Sequence, residues 1–200
     1  MITYKDTSIT QEKAEKNKDG LCKKYDGITM TNIIELEESK KIVKFIEENK
    51  NQNGQDNPAG VVKTSDVTLC SWYHLKSKLP YLLDKIYQAN VGYFGFDIFP
   101  TPVDQALNLN TYRVGQEYKY HQDGSDFAVS DMKLTCLLNV STEPYEGGDF
   151  YLKYGDEDRK TDFPPGSLFI FKPYVFHRVT PVTKGVRKTL TMWMYGPRWR

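Results

Sequence analysis

The stretch that decides the fold of this chain is YRVGQEYKYHQD, residues 112–123, which ends in the triplet His121-Gln122-Asp123. Side chains alternate between the two faces of a β-strand, so residues two apart point to the same side. His121 and Asp123 can therefore reach one point in space together. Two ligands do not complete a metal site, and a third ligand has to come from elsewhere in the fold.

The downstream candidate is His177, one of only three histidines in the chain. With His121 and Asp123 it supplies two imidazoles and one carboxylate, the ligand set that leaves three positions open on the Fe(II) of non-haem oxygenases. A histidine satisfied within a sheet is the alternative for His177 alone, and zinc also accepts these ligand types. His74 has no partner at ligand spacing and is expected to be a surface or packing residue.

Arg187 follows a turn that we predict over residues 181–185, and it begins another candidate strand. An arginine inside a barrel is costly unless an anion pairs with it, and its planar guanidinium matches a carboxylate. Spacing alone leaves two interpretations open, an anchor for a dicarboxylic cosubstrate or a surface arginine beside Lys188. One face of the strand carries Arg187, Thr189, Thr191 and Trp193.

The second half of the chain is rich in short candidate strands that Gly and Pro turn signals separate. This punctuation predicts a barrel or double-sheet jelly roll, whose inward side chains converge on a cavity. Two helices are predicted earlier, over Leu36–Ile46 and from Ser77 through Pro80 to Tyr87. The predicted fold class is therefore α+β, mainly β, with a jelly-roll (double-stranded β-helix) core and supporting helices from the N-terminal half. The candidate strands are residues 93–99, 107–114, 118–121, 133–140, 149–154, 167–171, 176–182 and 187–195.

Length and composition indicate a polar, Lys-rich arm over residues 1–26 and a single domain over residues 27–200. A formal net charge of +1 gives no reason to expect nucleic acid or a membrane as partner. The beginning of the sequence has no apolar segment of signal-peptide length, and three cysteines without CxxC spacing indicate reduced thiols. We therefore expect a cytoplasmic protein, and the oligomeric state stays open.

Four motifs agree in order and spacing with a known family. Residues 112–123, the turn at 146–149, the step at 165–168 and the segment 177–187 together resemble the Fe(II)/2-oxoglutarate-dependent dioxygenases. More narrowly, they resemble the prolyl 4-hydroxylase branch. The resemblance implies Fe(II), with 2-oxoglutarate and O2 as cosubstrates, and it brings ascorbate into consideration as a further cofactor. It also implies that the catalytic iron ligands are His121, Asp123 and His177.

The resemblance further implies a cosubstrate pocket around Arg187, which occupies the position that pairs with the C5 carboxylate of 2-oxoglutarate. Tyr112 matches a tyrosine that often hydrogen-bonds the cosubstrate. Thr135 and Asn139 share a face of a neighbouring strand, and either is a candidate to complete this pocket. Trp193 matches a tryptophan near the site, although core packing explains it equally well.

The implied activity is hydroxylation of peptidyl proline, coupled to decarboxylation of 2-oxoglutarate to succinate and CO2. Hydroxylation of a free amino acid or small metabolite on the same scaffold is the alternative, and a non-catalytic metal-binding jelly roll is a third reading. The presence of Asp123 argues against the halogenating members, which lack this carboxylate. Two loops, residues 49–60 and 124–132, are candidates for substrate specificity. The possible aromatic contacts are Tyr73, Tyr118 and Tyr120.

Overall fold

The computed structural model of the chain describes residues 26–49, 62–124 and 131–198. The predicted arm, apart from Asp26, and most of both predicted specificity loops lie outside these ranges. Within them no helix is long and apolar enough to cross a membrane. In chain order the elements are β1 Gly27–Met30, α1 Leu36–Glu48, β2 Asp66–Ser71, α2 Trp72–Leu75, α3 Leu82–Ala89, a π-helical turn Asn90–Phe94, β3 Ala106–Tyr112, β4 Tyr118–His121, β5 Met132–Asn139, β6 Glu146–Gly147, β7 Phe150–Tyr154, β8 Glu157–Lys160, β9 Leu168–Phe171, β10 Phe176–Val179, β11 Val182–Lys184 and β12 Arg187–Tyr195.

Two antiparallel sheets form the body of the molecule. The larger has the strand order β1-β9-β5-β12-β3-β2, the smaller has the order β4-β10-β7-β8, and β6 pairs with β11 in a short ribbon. One hydrophobic cluster contains side chains from both sheets, and a second joins the larger sheet to the helices. The predicted double-sheet core with supporting helices is confirmed.

Strand β12 shows how the sequence pattern sets the two layers. Leu190, Met192 and Met194 are buried in the cluster that includes the helices, whereas Arg187 and Trp193 line a cavity between the sheets. This is the alternation that the sequence predicts for a strand buried on both faces. Arg187, Thr189 and Thr191 of β12 therefore face the interior of the jelly roll and not solvent.

Helix α1 packs through an amphipathic face, as predicted. Ile42, Val43 and Ile46 are buried, and the helix begins with a capping box in which Glu35 and Glu38 satisfy each other's backbone N–H groups. The second predicted helix begins later than expected, at Leu82, and a separate short helix α2 precedes it.

The predicted strand over residues 93–99 is wrong. The chain leaves α3 through the π-helical turn, and Gly95 adopts a φ of 69°, which favours glycine. The Asn90 side chain then donates to the carbonyl of Phe96 at 2.7 Å and accepts from its N–H at 3.0 Å. These bonds use the polar groups that a strand would have offered to a neighbour, so the aromatic run packs as an irregular segment.

The sequence pattern did not indicate four of the strands, which are β1, β2, β6 and β8. The first two are the outer strands of the larger sheet, and β8 consists of four exposed charged residues. The predicted strand over residues 176–182 is split into β10 and β11, because Pro181 has no N–H to continue a ladder. The remaining predicted strands agree with the structure within one or two residues at each end.

Candidate active site

Two histidine side chains meet across the smaller sheet. His121 on β4 and His177 on β10 are direct antiparallel partners, and their ring centroids lie 4.0 Å apart. Each Nδ1 lies 2.8 Å from a backbone carbonyl, that of Lys119 for His121 and that of Val175 for His177. Because a carbonyl oxygen only accepts, each Nδ1 donates, and a neutral ring then presents the lone pair of Nε2.

Asp123 completes this group from the turn after β4, not from the strand itself. Its backbone N–H donates to the carbonyl of Pro173 at 2.9 Å. One carboxylate oxygen, Oδ1, lies 3.7 Å from Nε2 of His121 and 3.8 Å from Nε2 of His177. The two imidazoles and the carboxylate therefore converge, as the His-x-Asp spacing predicts.

The second oxygen of Asp123 is held by the larger sheet. Its Oδ2 accepts a hydrogen bond from Thr135 Oγ1 at 2.7 Å and another from Trp193 Nε1 at 3.1 Å. Thr135 and Trp193 are themselves direct partners on β5 and β12. One cross-strand pair thus fixes the rotation of the carboxylate and directs Oδ1 toward the histidines, as partners of metal ligands commonly do.

The three converging groups fit a divalent metal. Their ligand atoms lie within 4.8 Å of one another, and no other such group of His, Cys, Asp or Glu occurs in the described part of the chain. Burial lowers the pKa of both His121 and His177, that of His121 to about 4. Both rings are therefore neutral at physiological pH, and two neutral imidazoles with one carboxylate suit Fe(II).

Arg187 lies in the same inter-sheet cavity, which has a volume of about 210 Å³. The residue is only 1% exposed, and its guanidinium carbon lies 5.2 Å from the ring centroid of Tyr112, its direct partner on β3. Its Nε and Nη2 have no hydrogen-bond partner among the residues that the structure describes. A buried guanidinium with two free donors is costly alone and matches a carboxylate from a ligand.

Gly148 makes room for the Arg187 side chain. It has a φ of 61°, and a Cβ placed on it would lie 2.8 Å from Cδ of Arg187. Gly148, in the turn at residues 146–149, is therefore required for packing as well as for the turn, because a residue without a side chain leaves space for the arginine. Arg187 also lines a neighbouring cavity of about 450 Å³ that contains none of the three converging residues.

A polar chain that links Lys63 to the larger sheet inside the cavity was not predicted. Nζ of Lys63 donates to Oδ1 of Asn110 at 2.7 Å, and Nδ2 of Asn110 donates to Oγ1 of Thr191 at 2.8 Å. Burial lowers the pKa of Lys63 to about 8. Asn110 lies two residues before Tyr112 on one face of β3, so strand alternation could have placed it at the cavity. No sequence pattern indicates the same for Lys63, a single lysine after a polar loop.

The remaining predicted residues separate into those at the cavity and those away from it. Tyr118 lines it, with its ring stacked on His121 at a centroid distance of 3.5 Å. Tyr73 is exposed on α2, and Tyr120 packs with Arg178; neither lines the cavity. Asn139 lies beyond it.

Asn139 was a candidate for the cosubstrate pocket, and the structure gives its amide other partners. Nδ2 donates to the carbonyl of Phe163 at 2.8 Å and to Oη of Tyr145 at 3.1 Å. Oδ1 accepts from the backbone N–H of Ser141 at 3.2 Å. The side chain thus ties β5 to the following loops, while Thr135, four residues earlier on the same face, reaches the cavity.

Comparison with known proteins agrees with this geometry. Residues 107–195 match the family model of the 2OG-Fe(II) oxygenase superfamily. A PKHD-type hydroxylase from Alteromonas mediterranea is 34% identical over 94 residues, which cover 43% of this chain and 41% of that protein. The chain thus spans about two fifths of the length of this relative.

Solved structures resemble the whole described fold at lower sequence identity. A Pseudomonas putida prolyl-4-hydroxylase gives a TM-score of 0.68 at 17% identity, covering 86% of this chain and 94% of that one. A Trichoplax adhaerens prolyl hydroxylase was solved with a hypoxia inducible factor oxygen degradation domain peptide fragment. It gives a TM-score of 0.63 at 16% identity, covering 85% of this chain and 83% of that one. At these identities the similarity establishes the fold. The match to the model of the 2OG-Fe(II) oxygenase superfamily covers the segment that contains the convergent His-Asp-His group.

Proposed function

We propose that this protein is a Fe(II)- and 2-oxoglutarate-dependent hydroxylase that acts on peptidyl proline. The observation that carries the proposal is the buried, unpartnered guanidinium of Arg187 in the same cavity as the three converging ligands. The family match supports the cofactor and cosubstrates. The prolyl hydroxylase neighbours, one of them solved with a peptide, support a peptide substrate over a free metabolite.

Each part of the cavity has a separate task in this proposal. His121, His177 and Asp123 would hold the iron, which with O2 and 2-oxoglutarate supplies the oxidation of a substrate C–H bond, forming succinate and CO2. Arg187 binds the distal carboxylate of the cosubstrate through its two free donors. Burial raises the pKa of Tyr112, which lines the same cavity, so its hydroxyl stays protonated as a candidate donor to the cosubstrate.

The cavity walls between these polar groups exclude water. Leu137, Phe150 and Val179 line the space, and all three are buried. Apolar walls strengthen the pairing between Arg187 and a carboxylate, because the interaction then occurs in a medium of low dielectric constant. They also protect a reactive centre from side reactions with solvent.

The test is turnover of defined peptides. Fe(II)-loaded protein is incubated with 2-oxoglutarate, O2 and proline-containing peptides, with matched peptides in which alanine replaces proline, and with free proline. We expect a proline peptide to gain one oxygen atom by mass spectrometry, with an equal amount of succinate. Oxygen incorporation into free proline alone, or succinate formation that no peptide stimulates, would contradict the peptide assignment.

A further inference from the structure

Lys63 is held at the cavity by backbone pairing at the edge of the smaller sheet. The carbonyl of Val62 accepts from the N–H of Lys119 at 2.9 Å, and the N–H of Thr64 donates to the carbonyl of Glu117 at 3.1 Å. The segment thus covers β4, the edge strand, and alternation directs Lys63 to the inner side. Its place does not depend on its own side chain, so the lysine can be replaced without removing the segment.

The ammonium group of Lys63 has a hydrogen-bond partner but no close ion pair in the described structure, and the one carboxylate that attracts it is Asp123, which belongs to the group of metal ligands. The ammonium donates to Oδ1 of Asn110 and lies 5.0 Å from the ring centroid of Tyr118, which stacks on His121. No carboxylate among residues 26–49, 62–124 and 131–198 forms an ion pair with it. An ammonium has three N–H donors, and Asn110 uses only one of them.

The charges of the cavity balance except at this lysine. The ferrous ion is doubly positive, and Asp123 offsets one of these charges. The 2-oxoglutarate dianion offsets the other together with the charge of Arg187. Lys63 is then the remaining cation in a half-buried position, where an unpaired charge is unfavourable.

We infer that Lys63 binds a carboxylate of the substrate, so that the preferred substrates are prolyl peptides with a carboxylate close to the target proline. This inference rests on the proposed function and adds a substrate class to it. Arg187 is fully buried, whereas Lys63 is half-buried, so Lys63 is the cation that an incoming substrate reaches first. The carboxylate belongs either to a neighbouring acidic side chain or to the C-terminus of the prolyl residue.

The experiment measures binding without turnover. Mn(II)-loaded protein with 2-oxoglutarate is titrated calorimetrically with two matched pairs of probes. The first pair is an N-acetylated, C-terminally amidated Gly-Pro-Glu peptide and its Gly-Pro-Gln counterpart. The second is N-acetyl-Gly-Pro as the free acid and as the amide. The variants are Lys63→Met and, as a control for loss of one lysine charge, Lys153→Met on the exposed side of β7.

We expect one acid to bind about tenfold or more tightly than its neutral partner in wild type and in Lys153→Met, as for one charge-assisted hydrogen bond. In Lys63→Met the preference should disappear while 2-oxoglutarate still binds. The pair that shows the preference identifies the source of the carboxylate.

A preference that persists in Lys63→Met, or no preference in wild type that binds 2-oxoglutarate normally, would refute the role of Lys63 and leave the proposed function intact. Loss of 2-oxoglutarate binding in Lys63→Met would place the lysine in the cosubstrate site instead and would also refute this role. Failure of wild type to bind 2-oxoglutarate would refute the proposed function itself.

Discussion

Replacement of Arg187 by methionine separates binding from folding. Arg187 is 1% exposed and has two donors without partners in the described structure, so the cost of burying its charge opposes the favourable contact of the guanidinium with the Tyr112 ring. Methionine is flexible and of comparable length, so it can fill much of the same space without a charge. We expect the free energy of unfolding of the metal-free protein to stay the same or to rise by up to about 4 kcal/mol.

The same replacement should nearly abolish cosubstrate binding. Two charge-assisted hydrogen bonds to the distal carboxylate contribute roughly 1.5–3 kcal/mol each, so their loss weakens 2-oxoglutarate binding about 100-fold to 10,000-fold. Urea denaturation of the metal-free protein and calorimetric titration of the Mn(II)-loaded protein measure the two effects. The exposed Arg159 provides a matched control, because Arg159→Met removes an arginine whose contacts, with Glu157 and the Tyr154 ring, lie outside the cavity.

A variant that binds 2-oxoglutarate as wild type does would refute the assignment of Arg187 as the anchor. The next candidates would then be Lys63, which lines the same cavity, and Lys188, which pairs with Glu47. A large loss of stability in Arg187→Met would show instead that the guanidinium has a structural partner.

Three further predictions follow from the contacts around the cavity. Gly148→Ala should weaken 2-oxoglutarate binding and leave metal binding unchanged, because the new Cβ would lie 2.8 Å from Cδ of Arg187; equal losses of both would contradict this. Trp193→Phe removes a hydrogen bond to Asp123 and should weaken metal binding by about 10-fold to 100-fold in a competition titration, whereas unchanged affinity would assign the indole to packing. The unfolding free energy of metal-free protein should fall as pH decreases from about 6.5 towards about 4. Burial lowers the pKa of His121 to about 4 in the folded protein, whereas the unfolded chain binds the proton near the ordinary histidine pKa. His121→Asn should flatten this part of the plot of unfolding free energy against pH.

The sequence predicted best those features that depend on strand alternation. The division of β12 into one face with Arg187, Thr189, Thr191 and Trp193 and another with Leu190, Met192 and Met194 follows from a period of two. The bounds of β4 and β12 agree residue for residue with the predicted segments. In β12 both faces are largely buried, so the pattern of side chains is strongly constrained.

Features that depend on contacts distant in sequence were not predictable in this way. The aromatic run over residues 93–99 has the sequence pattern of a strand. The Asn90 side chain, however, bonds the backbone N–H and carbonyl of Phe96, so that these groups do not pair with another strand. Asn139 shares a face of β5 with Thr135, but its side-chain amide forms hydrogen bonds with Phe163 and Tyr145 in the following loops. Lys63 lies at the cavity because its backbone pairs with β4, and no local sequence pattern predicts that pairing.

The most direct test of the site is an anaerobic titration of the Fe(II)-loaded protein with 2-oxoglutarate, followed by the visible charge-transfer absorption of the chelate. We expect a saturable band in the wild-type protein that is lost in Asp123→Ala, since that variant lacks the carboxylate ligand. Asp162→Ala changes an acidic residue outside the three converging ligands and should keep the band. Iron that is demonstrably bound without any band, or a band that survives in Asp123→Ala, would contradict the assignment of His121, Asp123 and His177 as the iron site.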